Sequence, residues 1–92
     1  MRKVHLTGQF RRDVKLARRR GKDLGKLRMA MEVIVGGNPL PPQYRDHPLR
    51  GEFHGSRDCH LEPDWLLIYT LNPSDPVVCF ERTGTHADLF GS

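Results

Sequence analysis

The sequence lacks the features of several large protein classes. No apolar run approaches the roughly 20 residues that a membrane span needs, so we expect no membrane partner. Residues 1–7 are too short and polar a segment for a secretory signal peptide. Without that signal, the only two cysteines, Cys59 and Cys79, are expected to be reduced strand residues of a cytoplasmic protein. The 92 residues provide for one domain, residues 1–92, with one small core and a shallow site.

Motifs for metal binding and for thiol chemistry are missing as well. His54, Cys59 and His60 offer ligand atoms, but their spacing matches neither C-x-x-C nor H-E-x-x-H. Nothing in the sequence around Cys59 signals a reactive thiolate. We therefore expect no metal, no cofactor and no cysteine nucleophile.

The charge is distributed very unevenly along the chain. Residues 1–28 carry eleven Lys and Arg against Asp13 and Asp23, a net charge of +9. Residues 29–92 carry four Lys and Arg against nine acidic residues, a net charge of −5. A basic first third favours affinity for nucleic acid, which weakens as salt rises. The alternative explanation is a helix surface that is merely solvated.

The spacing of apolar residues predicts a short edge strand, two helices and then a series of strands. Thr7 and Asp23 are placed to cap the starts of the helices, and Gly21 to end the first. The short link between the helices implies an antiparallel hairpin. Short strands are predicted around residues 47–49, 52–54 and 59–61, central strands at 65–69 and 77–82, and a tail element at 86–90.

This order of elements predicts an α+β fold, with the N-terminal strand and the helical hairpin packed on one face of an antiparallel sheet. The turn at residues 72–76 joins the two central strands as a hairpin. Its midpoint predicts that paired residues have numbers summing to about 148. Residues near 65 then face residues near 82. One end of the sheet should consequently collect His60, Asp64, Arg82 and His86.

Histidine is the side chain best able to move a proton near neutral pH. Four of the five histidines lie in the C-terminal half, although a single strand histidine is more often structural. Arg82 lies in an apolar strand, where it either forms a salt bridge to Asp64 or Glu62 or stabilises a phosphate group. Trp65 begins an apolar run and is expected in the core, whereas Phe90 is placed to stack on a base.

A basic surface joined to a cluster of histidine, aspartate and arginine is what an enzyme acting on a phosphodiester needs. The segments DHPLRG at 46–51, RDCHLEPDWLLIY at 57–69 and RTGTHADLF at 82–90 resemble the YafQ branch of the RelE-like bacterial toxins. The resemblance spans essentially the whole chain. Other RelE relatives use a Lys/Arg/Tyr set, which this chain does not resemble.

The resemblance implies a ribosome-dependent endoribonuclease that cuts mRNA in the A site of the 70S ribosome. It also implies a cognate antitoxin of the ribbon-helix-helix type from the same operon, bound in a hetero-oligomer. The positions that match catalytic and RNA-contacting residues of such toxins are His47, His60, Asp64, Arg82, His86 and Phe90. The basic helix is expected to dock on ribosomal RNA through Arg11, Arg12, Lys15, Arg18, Arg19, Arg20 and Lys22.

These residue types predict a cut without a metal, in which the ribose 2′-hydroxyl of the RNA is the nucleophile. We expect His86 to be the acid and His60 or Asp64 the base, with Arg82 holding the phosphate. A non-catalytic RNA- or DNA-binding module is the alternative, and it leaves the His/Asp/Arg group without a role. A toxin of the same fold with another target, such as gyrase, is a third possibility that the histidines disfavour.

Overall fold

The computed structural model describes residues 1–91. In these residues the helices and strands follow the order β1 (Lys3–Leu6), α1 (Gly8–Arg19), α2 (Leu24–Val35), β2 (His47–Pro48), β3 (Arg57–Glu62), β4 (Trp65–Leu71), β5 (Val77–Gly84) and α3 (His86–Phe90). Two 3-10 turns, Pro42–Tyr44 and Gly51–Phe53, lie on either side of β2. The predicted α+β class is confirmed. None of the helices in this described part is long and apolar enough to cross a membrane.

The two long helices begin where the sequence predicts, because each has a side-chain cap. The Thr7 hydroxyl accepts a hydrogen bond from the Phe10 N–H, and the Asp23 carboxylate accepts one from the Gly25 N–H. Gly21 follows α1 with a φ of 77°, a left-handed conformation that glycine adopts without strain. The first helix therefore ends at Arg19, just before the predicted glycine.

The five strands of the described residues lie in the order β1-β5-β4-β3-β2. Strands β2 to β5 pair antiparallel, but the edge strand β1 runs parallel to β5, with Lys3 opposite Val77 and Leu6 opposite Phe80. The prediction of an antiparallel sheet is wrong for this one pair, and the sheet is mixed. The direction of β1 depends on a connection through two helices and three strands, which local periodicity does not reveal.

The predicted strand at 52–54 is also wrong, since a 3-10 turn occupies Gly51–Phe53. Gly51 has a φ of 70°, which takes the chain out of the extended conformation that a strand requires. The segment instead forms part of the loop between β2 and β3. Phe53, in this loop, packs against a small apolar cluster around Leu66 and Ile68.

The sheet has two unlike faces. One face carries the main core, where α1 and α2 pack through Phe10, Ala17, Leu27, Ala30 and Ile34 against side chains that include Leu67, Tyr69, Val78 and Phe80. On the opposite face, which we term the second face, Leu66 and Ile68 pack with Leu89 of α3. Because α3 is only five residues long, it covers part of the second face and leaves room there for polar groups.

The pairing of β4 with β5 contains a bulge. Leu66 lies opposite Gly84 and Ile68 opposite Arg82, pairs whose numbers sum to 150, whereas Tyr69 lies opposite Phe80. Glu81 is the extra residue at this point. The register thus differs from the predicted sum by one to two residues. Strand β1 ends opposite Phe80, so Arg82 lies at an edge of the sheet that no strand covers among the described residues.

Candidate active site

The edge strand β2, its neighbour β3 and helix α3 bring the predicted histidines together. His47 of β2 lies opposite Asp58 of β3, and His60, two residues further along β3, lies on the same face as Asp58. His86 begins α3. The ring centroids of His47 and His60 are 6.2 Å apart, and those of His60 and His86 are 5.9 Å apart. Three imidazoles therefore form a continuous row, including His47, whose place the sequence spacing could not show.

His86 and Asp64 form one end of this row. The His86 Nδ1 lies 2.6 Å from Asp64 Oδ1, and the backbone N–H of His86 donates to the same oxygen at 2.8 Å. These two hydrogen bonds, the backbone one first, hold the pKa of Asp64 below its usual range. The carboxylate is consequently ionised near neutral pH, and it fixes the orientation of the imidazole ring.

His47 and Asp58 form the other end. The His47 Nε2 lies 2.8 Å from Asp58 Oδ1, a contact that is an ion pair when the imidazole is protonated and that is not aligned as a hydrogen bond. Asp58 is only 3% exposed, and its burial raises the pKa of the carboxyl group while the three nearby histidines lower it. The sequence interpretation missed Asp58. An acidic residue two positions before His60 in a buried strand was the available signal, since strands are depleted in aspartate.

Arg82 is paired, but not with a predicted partner. Its Nε and Nη2 donate to the carboxylate of Asp13 in α1, at 2.7 and 3.2 Å. The predicted alternatives, Asp64 and Glu62, are therefore wrong as partners. The reason is the edge position of Arg82, which directs the guanidinium past the end of β1 towards α1. Asp13 is buried and also accepts the Thr83 N–H at 3.2 Å.

Phe90 completes the row of rings. Its centroid lies 6.3 Å from that of His86, and it meets Phe53 edge to face at 5.7 Å. Phe90 is 40% exposed, so part of its ring is available for stacking on a base. Trp65, by contrast, is buried in the core as predicted.

The residue before His47 is held by an arrangement that the sequence did not reveal. The Tyr69 hydroxyl donates to Asp46 Oδ1 at 2.6 Å, and the Arg57 Nε donates to the same oxygen at 3.2 Å. Burial, followed by the hydrogen bond to Asp46, raises the pKa of Tyr69, so its hydroxyl remains a donor at all ordinary pH values. These contacts fix the backbone that carries His47.

The predicted RNA-binding cations fall into two groups. Arg20 is paired with Asp88 of α3 at 2.6 Å, and Lys22 with Glu62 at 2.9 Å, so both are engaged within the protein. Arg12 donates to the side chain of Gln9. Within residues 1–91 no carboxylate forms a salt bridge to the remaining cations, which are exposed on α1: Arg11, Lys15, Arg18 and Arg19.

The sequence also offers groups for two other kinds of chemistry, metal ligation and attack by a cysteine thiolate. No group of three or more His, Cys, Asp or Glu in the described residues is arranged to hold a metal ion. Cys59 is buried, and burial raises the pKa of its thiol to about 12, which makes it a poor nucleophile. His54 is exposed at the end of a 3-10 turn.

Comparison with solved structures shows which class of protein has this fold. The fold matches solved bacterial toxins over nearly the whole chain: the crystal structure of YafQ from Escherichia coli strain BL21(DE3) has a TM-score of 0.92 and 49% identity, covering 99% of this chain and 100% of that one. The family model for the bacterial toxin of type II toxin-antitoxin systems, YafQ, matches residues 2–91. This chain belongs to that family.

Two further relatives bear on function. The mRNA interferase toxin YafQ of Escherichia coli strain K12 is 52% identical over 91 residues, which are 98% of this chain and 97% of that protein. The toxin in a crystal structure of the E. coli DinJ-YafQ complex is 50% identical, with a TM-score of 0.91, and the match covers 99% of this chain and all of that one. The chain is thus similar over nearly its full length to a toxin whose structure was solved in a complex.

Proposed function

We propose that this toxin is an endoribonuclease that cuts mRNA in the A site of the 70S ribosome and so stops translation. The observation that carries the proposal is the row of three imidazoles, each about 6 Å from the next, with a carboxylate against each outer ring. Relatives named mRNA interferase toxins, 52% identical over nearly the full length, support the activity. A non-catalytic RNA-binding module would have no use for this arrangement.

The reaction follows from what RNA and imidazole supply. A base removes the proton of the ribose 2′-hydroxyl, the resulting oxygen attacks the adjacent phosphorus, and the bond to the 5′-oxygen breaks as an acid protonates that oxygen. The products are a 2′,3′-cyclic phosphate and a 5′-hydroxyl. Two proton-transfer groups on opposite sides of the phosphate suffice, and a row of histidines provides them.

We assign the acid to His86 and the base to His60. Asp64 holds the Nδ1 side of His86, which leaves Nε2 to donate a proton, and the carboxylate stabilises the imidazolium. Asp64 is a weaker choice for the base, because its lowered pKa and its two hydrogen bonds commit it to His86. His47, in contact with Asp58, flanks His60 on the other side and completes the site.

Arg82 and Phe90 bind the RNA on either side of the chemistry. With Nε and Nη2 committed to Asp13, the guanidinium retains N–H groups that can stabilise the negative charge developing on the phosphate. Phe90 stacks on a nucleotide next to His86. The exposed cations of α1 bind ribosomal RNA, and the role of RNA contact belongs to Arg11, Lys15, Arg18 and Arg19 rather than to Arg20 and Lys22.

The proposal includes the partners that the family implies. A ribbon-helix-helix antitoxin from the same operon binds the toxin in a hetero-oligomer. The crystal structure of the E. coli DinJ-YafQ toxin-antitoxin complex supports an antitoxin as the partner. The toxin acts in the cytoplasm, where ribosomes are found. It needs no cofactor, because RNA supplies the nucleophile and the side chains supply the proton transfers.

The proposal is tested with purified toxin, 70S ribosomes and a defined mRNA under translation. His86→Ala should lower the cleavage rate by about 10²-fold or more, the contribution of one acid–base group. His54→Ala is the matched control, since His54 is an exposed histidine outside the row, and it should cut at the wild-type rate. Cleaved ends should carry a 2′,3′-cyclic phosphate. Wild-type cleavage by His86→Ala, or 3′-hydroxyl ends, would contradict the mechanism.

A further inference from the structure

A cleft of about 460 Å³ lies beside His60, outside the row of imidazoles. Gln43, Tyr44 and Arg45 form one wall. The end of β3 and Lys26 of α2 contribute to the rest of its lining, and His60 is one of the residues on the β3 side. His60, the proposed base, therefore borders both the reaction site and a concave surface that has no role in the proposed reaction.

The cleft exists because the chain turns at Arg45, after the 3-10 turn and before it joins the sheet in β2. This residue has a φ of 49°, a left-handed conformation that non-glycine residues rarely adopt. Strand β2 is only two residues long and pairs with Arg57 and Asp58 alone. The outer edge of β3 from Cys59 to Glu62 consequently has no strand beside it in the described part of the chain, and its backbone groups face the space that opens there.

The wall of the cleft is fixed rather than loose. Asp46, directly after Arg45, accepts hydrogen bonds from Tyr69 and Arg57. Tyr44 packs part of its side chain against the main core. A strained backbone residue held between two anchored neighbours is the kind of arrangement found at ligand-binding sites.

We propose that this cleft binds the base of a nucleotide adjoining the scissile phosphate and thereby helps to determine which codons are cut. The inference rests on the proposed function, since it places a substrate nucleotide next to His60. Tyr44 offers an aromatic ring for stacking on the base. The exposed amide of Gln43 has both donors and acceptors for a base edge, and the exposed Arg45 has a cation for the neighbouring phosphate.

The charge of the cleft agrees with an RNA ligand. Lys26 and Glu62 neutralise each other through a salt bridge of 3.0 Å. Arg45 takes part in none of the salt bridges found among the described residues, so it gives the cleft a net positive charge. A phosphate of single-stranded RNA meets attraction at this position.

The test compares cleavage by wild-type toxin and by variants of the wall, on ribosomes translating mRNAs that differ in one codon. Tyr44→Ala removes the stacking surface, and Gln43→Ala removes the amide of an exposed residue whose loss the fold should tolerate. Arg45→Gly removes the cation and suits the left-handed backbone. Lys3→Ala is the matched charge control, on the strand at the opposite edge of the sheet.

We expect Gln43→Ala to reduce the ratio of cleavage at the preferred codon to cleavage at other codons, because its amide contacts a base edge. Tyr44→Ala and Arg45→Gly should lower cleavage at every codon, by about ten-fold for the tyrosine, because any base stacks on an aromatic ring. Lys3→Ala should leave that ratio unchanged. An unchanged ratio in Gln43→Ala, or an unchanged cleavage rate in Tyr44→Ala, would overturn the inference while wild-type cleavage still supports the proposed function. An unchanged ratio together with lost neutralisation by the antitoxin would assign the cleft to that protein instead. Absence of wild-type cleavage would overturn both proposals.

Discussion

Asp13 and Arg82, 69 residues apart in the chain, form a two-point ion pair that connects the basic helix α1 to the strand leading into the active site. Asp13 accepts two hydrogen bonds from the guanidinium, one from the Thr83 N–H and one from the Gln9 side chain. A buried carboxylate with four donors holds its partners in one orientation. The presence of an acidic residue in a helix otherwise rich in cations thus has a structural reason.

The first prediction concerns this pair. Asp13→Asn keeps the shape of the side chain but removes the charge that orients Arg82. We expect a loss of stability of about 1.5–3 kcal/mol, typical for a hydrogen bond to a charged group. We also expect a fall in kcat of about ten-fold with little change in KM, because Arg82 acts on charge that develops in the transition state.

The control is Asp23→Asn, which removes the same charge from the same basic segment. Asp23 caps α2 at an exposed position, and asparagine caps helices about as well as aspartate. This variant should unfold at nearly the same denaturant concentration and cut at the wild-type rate. If Asp13→Asn behaved like this control in both measurements, the orienting role of Asp13 would be wrong.

The second prediction uses the raised pKa of Asp58. A carboxyl group whose folded-state pKa is raised contributes stability below its unfolded pKa of about 4, and this contribution is lost as pH rises through the folded value. At neutral pH the ionised carboxylate of Asp58 therefore lowers the free energy of unfolding. His47 is half exposed and remains solvated without its partner, so Asp58→Asn should raise the melting temperature at pH 7.

The same variant should lower cleavage by about ten-fold, since His47 loses the carboxylate against its Nε2. Thermal unfolding at pH 4 and pH 7 and single-turnover cleavage measure the two effects. Asp75→Asn, in the exposed β4–β5 turn, should change neither. A lower melting temperature at pH 7 would show that the pair with His47 outweighs the cost of burial.

The third prediction separates the two groups of cations on α1. The double variant Arg18→Glu and Arg19→Glu should weaken ribosome binding and reduce the slope of log affinity against log salt by about 0.7–0.9 for each phosphate that the helix no longer neutralises. Lys3→Glu, outside α1 on the edge strand β1, is the control for a single charge reversal in the basic segment. An unchanged affinity with an unchanged salt slope would rule out docking through this helix.

Arg20→Glu should act differently, because Arg20 is paired with Asp88. The guanidinium, followed by the Thr85 N–H, holds the pKa of Asp88 well below its usual range. The pair therefore stabilises the fold at neutral pH, and that contribution disappears as pH falls through the lowered pKa. Reversing the charge should lower the melting temperature at pH 7 more than the double variant does, which differential scanning calorimetry measures.

The fourth prediction concerns the backbone that carries His47. Tyr69→Phe removes only the hydroxyl that donates to Asp46, at a cost of about 1 kcal/mol in stability. We expect kcat to fall several-fold while KM for programmed ribosomes is retained, because the loop that positions His47 becomes less fixed. Asp46→Asn is the companion variant: it can still accept from Tyr69 but loses the charge that Arg57 pairs with. Unchanged kcat in both variants would refute the role of this anchor.

Local features of the fold were predictable from the sequence. Thr7 and Asp23 cap their helices because a cap depends on residues two or three positions away. The long-range features were not. The ion pair between Asp13 and Arg82 depends on where β1 ends relative to β5. The bulge at Glu81 changes the register of β4 and β5, and no residue type in the sequence predicts it.

The candidate site shows the same division. Asp64 and His86 could be placed at one end of the sheet from the hairpin turn alone, since β4, which follows Asp64, and β5, which precedes His86, are joined directly. His47 reaches the site through two irregular segments, and Asp58 was overlooked because a strand aspartate has no motif of its own. Similarly, the anchor on Asp46 joins residues 23 positions apart, and only the folded chain reveals it.

Asp64 Oδ1 accepts both the ring and the backbone N–H of His86, so a single oxygen anchors a proton donor and the first residue of the helix that carries it. Alanine at position 64 would release the imidazole and loosen the start of α3 together. Its activity would then report two simultaneous losses, and even complete inactivation would not be evidence that Asp64 itself transfers a proton. The orientation of the His86 ring and the start of α3 thus depend on the same carboxylate oxygen, and every substitution that removes this oxygen changes both.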